Sequence, residues 1–264
     1  MSWLDNAPVI NKPFGTPEFR AHAAGLNIEA IVFLETGLEP HYAALEPYWV
    51  LERAQEDARI QAIVAAAPLE HGECVRSYLK ALAKIDTRIQ GVRRLTQDEA
   101  DASFCLRPGF VRGAQILSEF GLTCDLCIRH WQLESTTELV RRCPQTQFIL
   151  DHIGKPNIKE HILDPWREQM RRLADSPNVM CKVSGMATEA DHEHWRPEDL
   201  APYVAHVLEV FGEDRVAFGG DWPVALLATP YRRWVETLDA LTAHLSVSAK
   251  RKLWADNARR FYRL

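Results

Sequence analysis

Short apolar runs recur along the chain with amphipathic segments between them: Ile28–Leu34, Ile60–Ala67, Ile89–Leu95, Leu122–His130, Gln147–His152, Val179–Val183 and Arg215–Phe218. Their starts fall 25 to 36 residues apart, which is the length a strand, a crossover helix and two loops consume. The runs are apolar throughout rather than alternating, the pattern of strands covered on both faces. The segments between them carry helix punctuation. Thr16-Pro17-Glu18 predicts an N-cap, a proline at the first helical position and an acidic first turn, with Gly25 closing that helix. Ser135 or Thr136 is the expected cap of a helix running to Arg142, before Pro144. Arg196-Pro197-Glu198-Asp199 opens a helix ending at Phe211 and Gly212, and Ser246–Phe261 forms a last one with basic residues in its final turns.

Repeated strand–helix units without a linker or low-complexity tract predict one domain over residues 1–264, an α/β fold of the (β/α)8 barrel type, whose usual length this chain matches. The strand count is seven, not eight. Residues 1–12 contain only Pro8-Val9-Ile10 as a strand-like fragment, a poor central strand with prolines near both ends. The expectation is therefore a barrel whose first strand is missing or altered, its gap filled by a segment of different pattern, by residues absent from this chain, or by a second copy in a homo-oligomer.

Hydrophobic residues make up 47% of the chain and charged residues 25%, with a net charge of −5. That balance, with no block of Lys or Arg, excludes a nucleic-acid surface. No apolar stretch reaches membrane-span length and the N-terminus has no secretory pattern, so a cytoplasmic protein is expected. The six cysteines (74, 105, 124, 127, 143, 181) are scattered and read as reduced thiols. Cys124 and Cys127 form a lone C-x-x-C in a strand, where a structural role is expected over metal or redox chemistry.

Chemistry is expected where strands end, because parallel barrels gather those ends at one rim. Asp221 follows a strand and Gly219-Gly220 and precedes Trp222-Pro223, so a carboxylate sits beside an aromatic wall as a candidate general base toward water. His152 ends its strand beside Asp151. Alternation predicts that only one of the two points inward, and the histidine is a candidate base, oxyanion donor or ligand. Arg93 and Arg94 end another strand, one expected to point inward and grip a carbonyl or carboxylate, the other to make a surface ion pair. Lys182 lies inside an apolar strand, where burial demands a partner or a ligand. Glu35 and His130 end two further strands and are candidates for the mouth, with Trp222 as its aromatic wall. His192-Glu193-His194 falls in a polar loop and is expected to be solvated rather than a metal site. The chain has no P-loop, dinucleotide fingerprint or nucleophile elbow.

The segments Gly91-Val92-Arg93, Leu150–Pro156, Lys182–Gly185, Phe218–Pro223 and Asn257–Tyr262 together resemble the sugar-lactonase branch of the amidohydrolase-related barrels. That resemblance implies hydrolysis of a lactone, a small-molecule ester. Asp221 would activate water, and His152 and Arg93 would orient the carbonyl and stabilise the oxyanion. It implies no required metal, with a single divalent ion such as zinc as the alternative. The family opens with a strand ending in His-x-His, and Ser2-Trp3-Leu4 resembles a segment that follows that strand, so the histidine pair is expected to be absent here. Two other readings stand beside this one: a non-catalytic barrel that binds a sugar acid, and a metal-dependent amidase or decarboxylase of the wider superfamily.

Overall fold

The computed structural model describes residues 1–264, the Ser2 side chain excepted. Seven strands form: β1 (Ile31–Leu34), β2 (Ile60–Ala66), β3 (Ile89–Arg93), β4 (Thr123–Leu126), β5 (Phe148–Leu150), β6 (Val179–Val183) and β7 (Val216–Phe218). All are parallel and pair in chain order, so each crossover brings the next strand down beside the last. The curled sheet is a (β/α) barrel in which β1 and β7 are the edges among the described residues, and residues 1–30 contribute no strand to it.

Two apolar layers follow from strand alternation. Ile31 and Phe33 of β1, Ile63 and Ala65 of β2, Phe148 and Leu150 of β5, and Val179, Cys181 and Val183 of β6 face the helices. Their neighbours Val32, Leu34, Ala62, Val64, Ile149, Met180 and Ala217 face inward, where they meet Phe261 and Tyr262 from the end of the chain. Arg93, Asp125 and Lys182 occupy inward positions of β3, β4 and β6: Asp125 and Lys182 are flanked on both sides by residues of the outer layer, and Arg93 follows Val92 of that layer.

The strands stop earlier than the apolar runs suggest. Leu122–His130 shortens to Thr123–Leu126 and Gln147–His152 to Phe148–Leu150, because the remaining residues turn away to build the rim. Helix punctuation is largely as expected, with two corrections. Gly15, not Thr16, caps the first helix, its N–H donating to Glu18 Oε2 at 2.8 Å. The helix Leu133–Arg142 starts ahead of Ser135 and Thr136, whose hydroxyls donate back to the Gln132 carbonyl. Arg196 and Gly212 bracket Pro197–Phe211, and Ser246 Oγ accepts from the Ala249 N–H at 3.1 Å at the start of the C-terminal helix.

That last helix continues through the turns Val247–Arg251, Lys252–Asp256 and Asn257–Tyr262 and stoppers the base of the barrel. Asn257 Nδ2 donates to the carbonyls of Glu213 and Val216 at the start of β7. Arg259 pairs with Glu29 ahead of β1 at 3.2 Å, and Arg263 donates to Gln90 of β3. The two sheet edges are thus bridged at their N-terminal ends, leaving the opposite rim for chemistry. All six cysteines are free, and among the described residues no helix is long and apolar enough to cross a membrane.

Candidate active site

The rim is built from backbone that only tertiary contacts hold in place. His152, Ile153, Lys155 and Asp221 all have left-handed backbone, with φ of +53°, +49°, +49° and +50°. Such conformations cost non-glycine residues on the order of 1–3 kcal/mol each and collect at functional sites. The turn after β5 overturns the expectation that only one of Asp151 and His152 points inward. Asp151 continues the inward set of Ile149. His152 would face out on an extended strand, but the strand has ended at Leu150 and the left-handed turn swings the imidazole back over the rim. Both side chains are buried.

His152 then touches two strand ends. Its Nδ1 lies 2.9 Å from Ser184 Oγ beyond β6, and its Nε2 lies 3.7 Å from Asp221 Oδ1 beyond β7. Gly185 permits the approach: a Cβ there would sit 2.6 Å from His152 Nδ1. Gly219 is equally tight, since a Cβ would meet the Ser184 Cβ at 2.6 Å. Burial sets the protonation states. It pushes Asp221 up to about 7, with Lys155 as the largest opposing charge, and pushes His152 down to about 3. The pair near neutrality is therefore a neutral imidazole beside a carboxyl poised between its two forms. In the tautomer in which the Ser184 hydroxyl donates to Nδ1, the imidazole proton sits on Nε2, facing Asp221.

Beneath this pair runs a ladder of buried charges. Glu35 Oε1 accepts from Arg93 Nε at 2.7 Å, and Arg93 NH1 donates to Asp151 Oδ2 at 2.9 Å. Arg93 NH2 also donates to the Glu35 carbonyl. Lys182 Nζ lies 2.6 Å from Asp151 Oδ1 and 2.7 Å from Asp125 Oδ2. Tyr262 closes the ladder, its hydroxyl donating to Asp125 Oδ2 at 2.6 Å. Against the burial that would raise it, the two cations Lys182 and Arg93 hold Asp151 ionised, far below the ordinary carboxylate range.

This geometry sorts the residues singled out from the sequence. His152 and Asp221 meet at the rim, Arg93 is close enough to both for its charge to act on them, and three of its five N–H bonds are committed to Glu35 and Asp151. Arg94 points away: it pairs with Glu70 and Glu99 and lies over the Phe104 ring, so it is no substrate ligand. Glu35 is spent on Arg93 and on the Gly37 N–H. Lys182 is spent on Asp125 and Asp151, and both are supports rather than substrate contacts. His130 Nδ1 lies 3.0 Å from the Lys155 carbonyl and steadies the rim turn from outside. Trp222 does form a wall, packed edge-on against Phe14 and Phe19 and donating to His22 Nδ1 at 2.8 Å. His192 and His194 bond within their own exposed loop, to Thr188 and Asp191. Sequence reasoning passed over Asp125, Asp151, Lys155, Ser184 and Tyr262 as site residues. Polar side chains at the inward positions Thr123 and Asp125 of β4, and Lys182 on β6, were the available signal for the interior ones.

Cys127 Sγ, an Asp151 oxygen and a His152 nitrogen lie within 4.8 Å of one another and can gather round one ion. Their chemistry fits a divalent metal poorly. Each Asp151 oxygen already holds a cation, His152 Nδ1 is engaged by Ser184, and burial pushes the Cys127 thiol up to about 11, so the ligand thiolate is disfavoured.

The sequence model of the amidohydrolase family described as "Amidohydrolase" matches residues 11–264. The chain belongs to the amidohydrolase family. Among curated relatives of this amidohydrolase, the L-fucono-1,5-lactonase of Burkholderia multivorans is 32% identical over 276 residues, covering 91% of this chain and 89% of that protein. The L-fucono-1,5-lactonase of Burkholderia ambifaria is 29% identical over 220 residues, covering 82% and 75% respectively. Among solved structures, an amidohydrolase from Burkholderia multivorans with bound zinc superposes with a TM-score of 0.90 at 29% identity, over 100% of this chain and 93% of that one. The barrel described above is thus the family's fold.

Proposed function

We propose that this amidohydrolase opens the ring of a sugar lactone, using Asp221 as the proton-transferring group. The observation that carries the reading is the contact of Asp221 and His152 across the mouth: a carboxyl lifted by burial to about 7 lies 3.7 Å from a neutral imidazole. A general base works best when its pKa is near the working pH, and the similarity to two L-fucono-1,5-lactonases supports a cyclic sugar ester as the substrate.

The reaction follows from these positions. Asp221 takes a proton from a water molecule as the water oxygen bonds to the lactone carbonyl carbon, and the carbonyl oxygen becomes an oxyanion. His152 Nε2–H and the two uncommitted Arg93 N–H bonds are the donors that stabilise this oxyanion. The tetrahedral species collapses, the ring C–O bond breaks, and Asp221 returns its proton to the departing alkoxide, leaving a hydroxy acid. No step needs a metal, in keeping with the prior commitments of Asp151 and His152. Trp222, Phe14 and Phe19 supply an apolar wall against the face of a sugar ring. Free cysteines support a reducing, cytoplasmic compartment.

Turnover of a panel of aldono-lactones by the purified protein, before and after exhaustive dialysis against a chelator, tests the reading. Activity should survive dialysis, and Asp221→Asn should lower kcat by roughly 10²–10⁴-fold with the fold intact. Absence of hydrolysis across the panel, or an active Asp221→Asn, would overturn it.

A further inference from the structure

The C-terminal helix does more than cover apolar surface. Phe261 packs among the inward aliphatic side chains, but Tyr262 reaches past them to the buried charges. Its hydroxyl bonds Asp125 Oδ2 at 2.6 Å, and Lys182 Nζ stands 5.6 Å over its ring. Asp125 has no other hydrogen bond besides that from Lys182: its Oδ1 is buried without a partner. An under-bonded buried carboxylate is costly, so the phenol is the group that lets Asp125 keep its hold on Lys182. Lys182 in turn is one of the two cations that fix Asp151, and Asp151 orients Arg93, a donor in the mouth. The other charged groups facing this ladder include Glu35, against Arg93, buried Glu46 beside that pair, and Lys155 with Asp221 at the rim.

We propose that Tyr262 is a positioning residue of the active site: it anchors Asp125, and through Lys182 and Asp151 it sets the orientation of Arg93. The stopper at the base of the barrel and the chemistry at its rim are then one mechanical unit. Only the kinetic test of this idea rests on the lactonase reading.

The experiment compares Tyr262→Phe, which keeps the ring and its packing but removes the hydroxyl, with Phe261→Leu, which loosens the same helix without touching Asp125. Asp125→Asn is the second variant, should Tyr262→Phe not fold, and the double variant Tyr262→Phe/Asp125→Asn completes a cycle. Tyr262→Phe should lower kcat about tenfold with KM nearly unchanged, because Arg93 acts on the developing oxyanion rather than on ground-state binding. Phe261→Leu should melt earlier yet keep wild-type kcat. The double variant should be no slower than Asp125→Asn alone. Wild-type kcat in Tyr262→Phe or in Asp125→Asn, or fully additive losses in the double variant, would overturn the proposal. A crystal structure of Tyr262→Phe gives a measurement independent of turnover. Lys182 and Arg93 should be displaced from Asp151, and unmoved side chains would equally overturn it. Failure of the wild-type protein to hydrolyse any lactone would remove the lactonase reading while leaving this structural comparison to decide the role of Tyr262.

Discussion

The molecule handles charge in two opposite ways. Inside the barrel, Glu35, Arg93, Asp151, Lys182 and Asp125 are all buried and linked end to end. On the outer helices, Glu73, Arg76, Arg112 and Glu119 form a cluster of comparable size, with side chains from about a quarter to more than half exposed. The outer cluster exchanges water for ion pairs in a high-dielectric setting, so its members are nearly dispensable. Each inner charge has given up its water and depends entirely on its neighbours. The difference teaches that ion-pair counts say little here. What matters is whether removing one partner strands another.

The largest effect should come from Lys182→Met, which strands Asp125 and Asp151 together. Removing one partner of a buried pair costs about 3–5 kcal/mol, so urea unfolding should show a loss of that order, and activity should vanish. A Lys182→Met midpoint close to that of wild type would erase the contrast between the two clusters. The next effect sharpens it from the other side. Asp221 is raised from 3.8 to about 7 in the folded protein, so the native state holds a proton that the unfolded chain releases at lower pH. Stability from this group is present below about 4 and is lost as pH rises toward 7. Asp221→Asn should therefore gain stability on wild type between those limits and then level off, while kcat/KM of the wild type rises with pH through about 7. A stability difference independent of pH would show that Asp221 is not held in a desolvated site. The smallest effect should be Arg76→Gln, which leaves Glu73 and Glu119 exposed to water. Its thermal midpoint should be unchanged within error, and a clear loss would put the outer cluster in the same class as the inner one.

Much of the barrel was legible in the chain because strand burial on both faces leaves uninterrupted apolar runs. Every one of the seven runs became a strand, and the count of seven held. Val179–Val183 kept even its bounds. Asp221 and His152 were legible because a polar residue at the end of such a run has few reasons to be there. Their mutual contact was not. Period-two alternation sent Asp151 and His152 to opposite faces, and nothing local announces that His152 and Ile153 take left-handed backbone. Arg93 and Arg94 could be split into one inward and one outward residue, yet the assignment needed Glu35 and Asp151 on one side and Glu70 and Glu99 on the other. Tyr262 was beyond reach, since its partner Asp125 lies 137 residues away in sequence.

By itself the chain determined its strands, their parallel order and the rim at which polar groups gather, because periodicity and burial are local properties that each segment carries with it. Only the tertiary structure decided which polar groups meet: that His152 turns to Ser184 and Asp221, that Lys182 serves two aspartates rather than a ligand, and that the end of the chain reaches the interior. Those outcomes depend on desolvation and on distances between segments far apart in sequence. Neither quantity exists until the sheet has curled and packed around them.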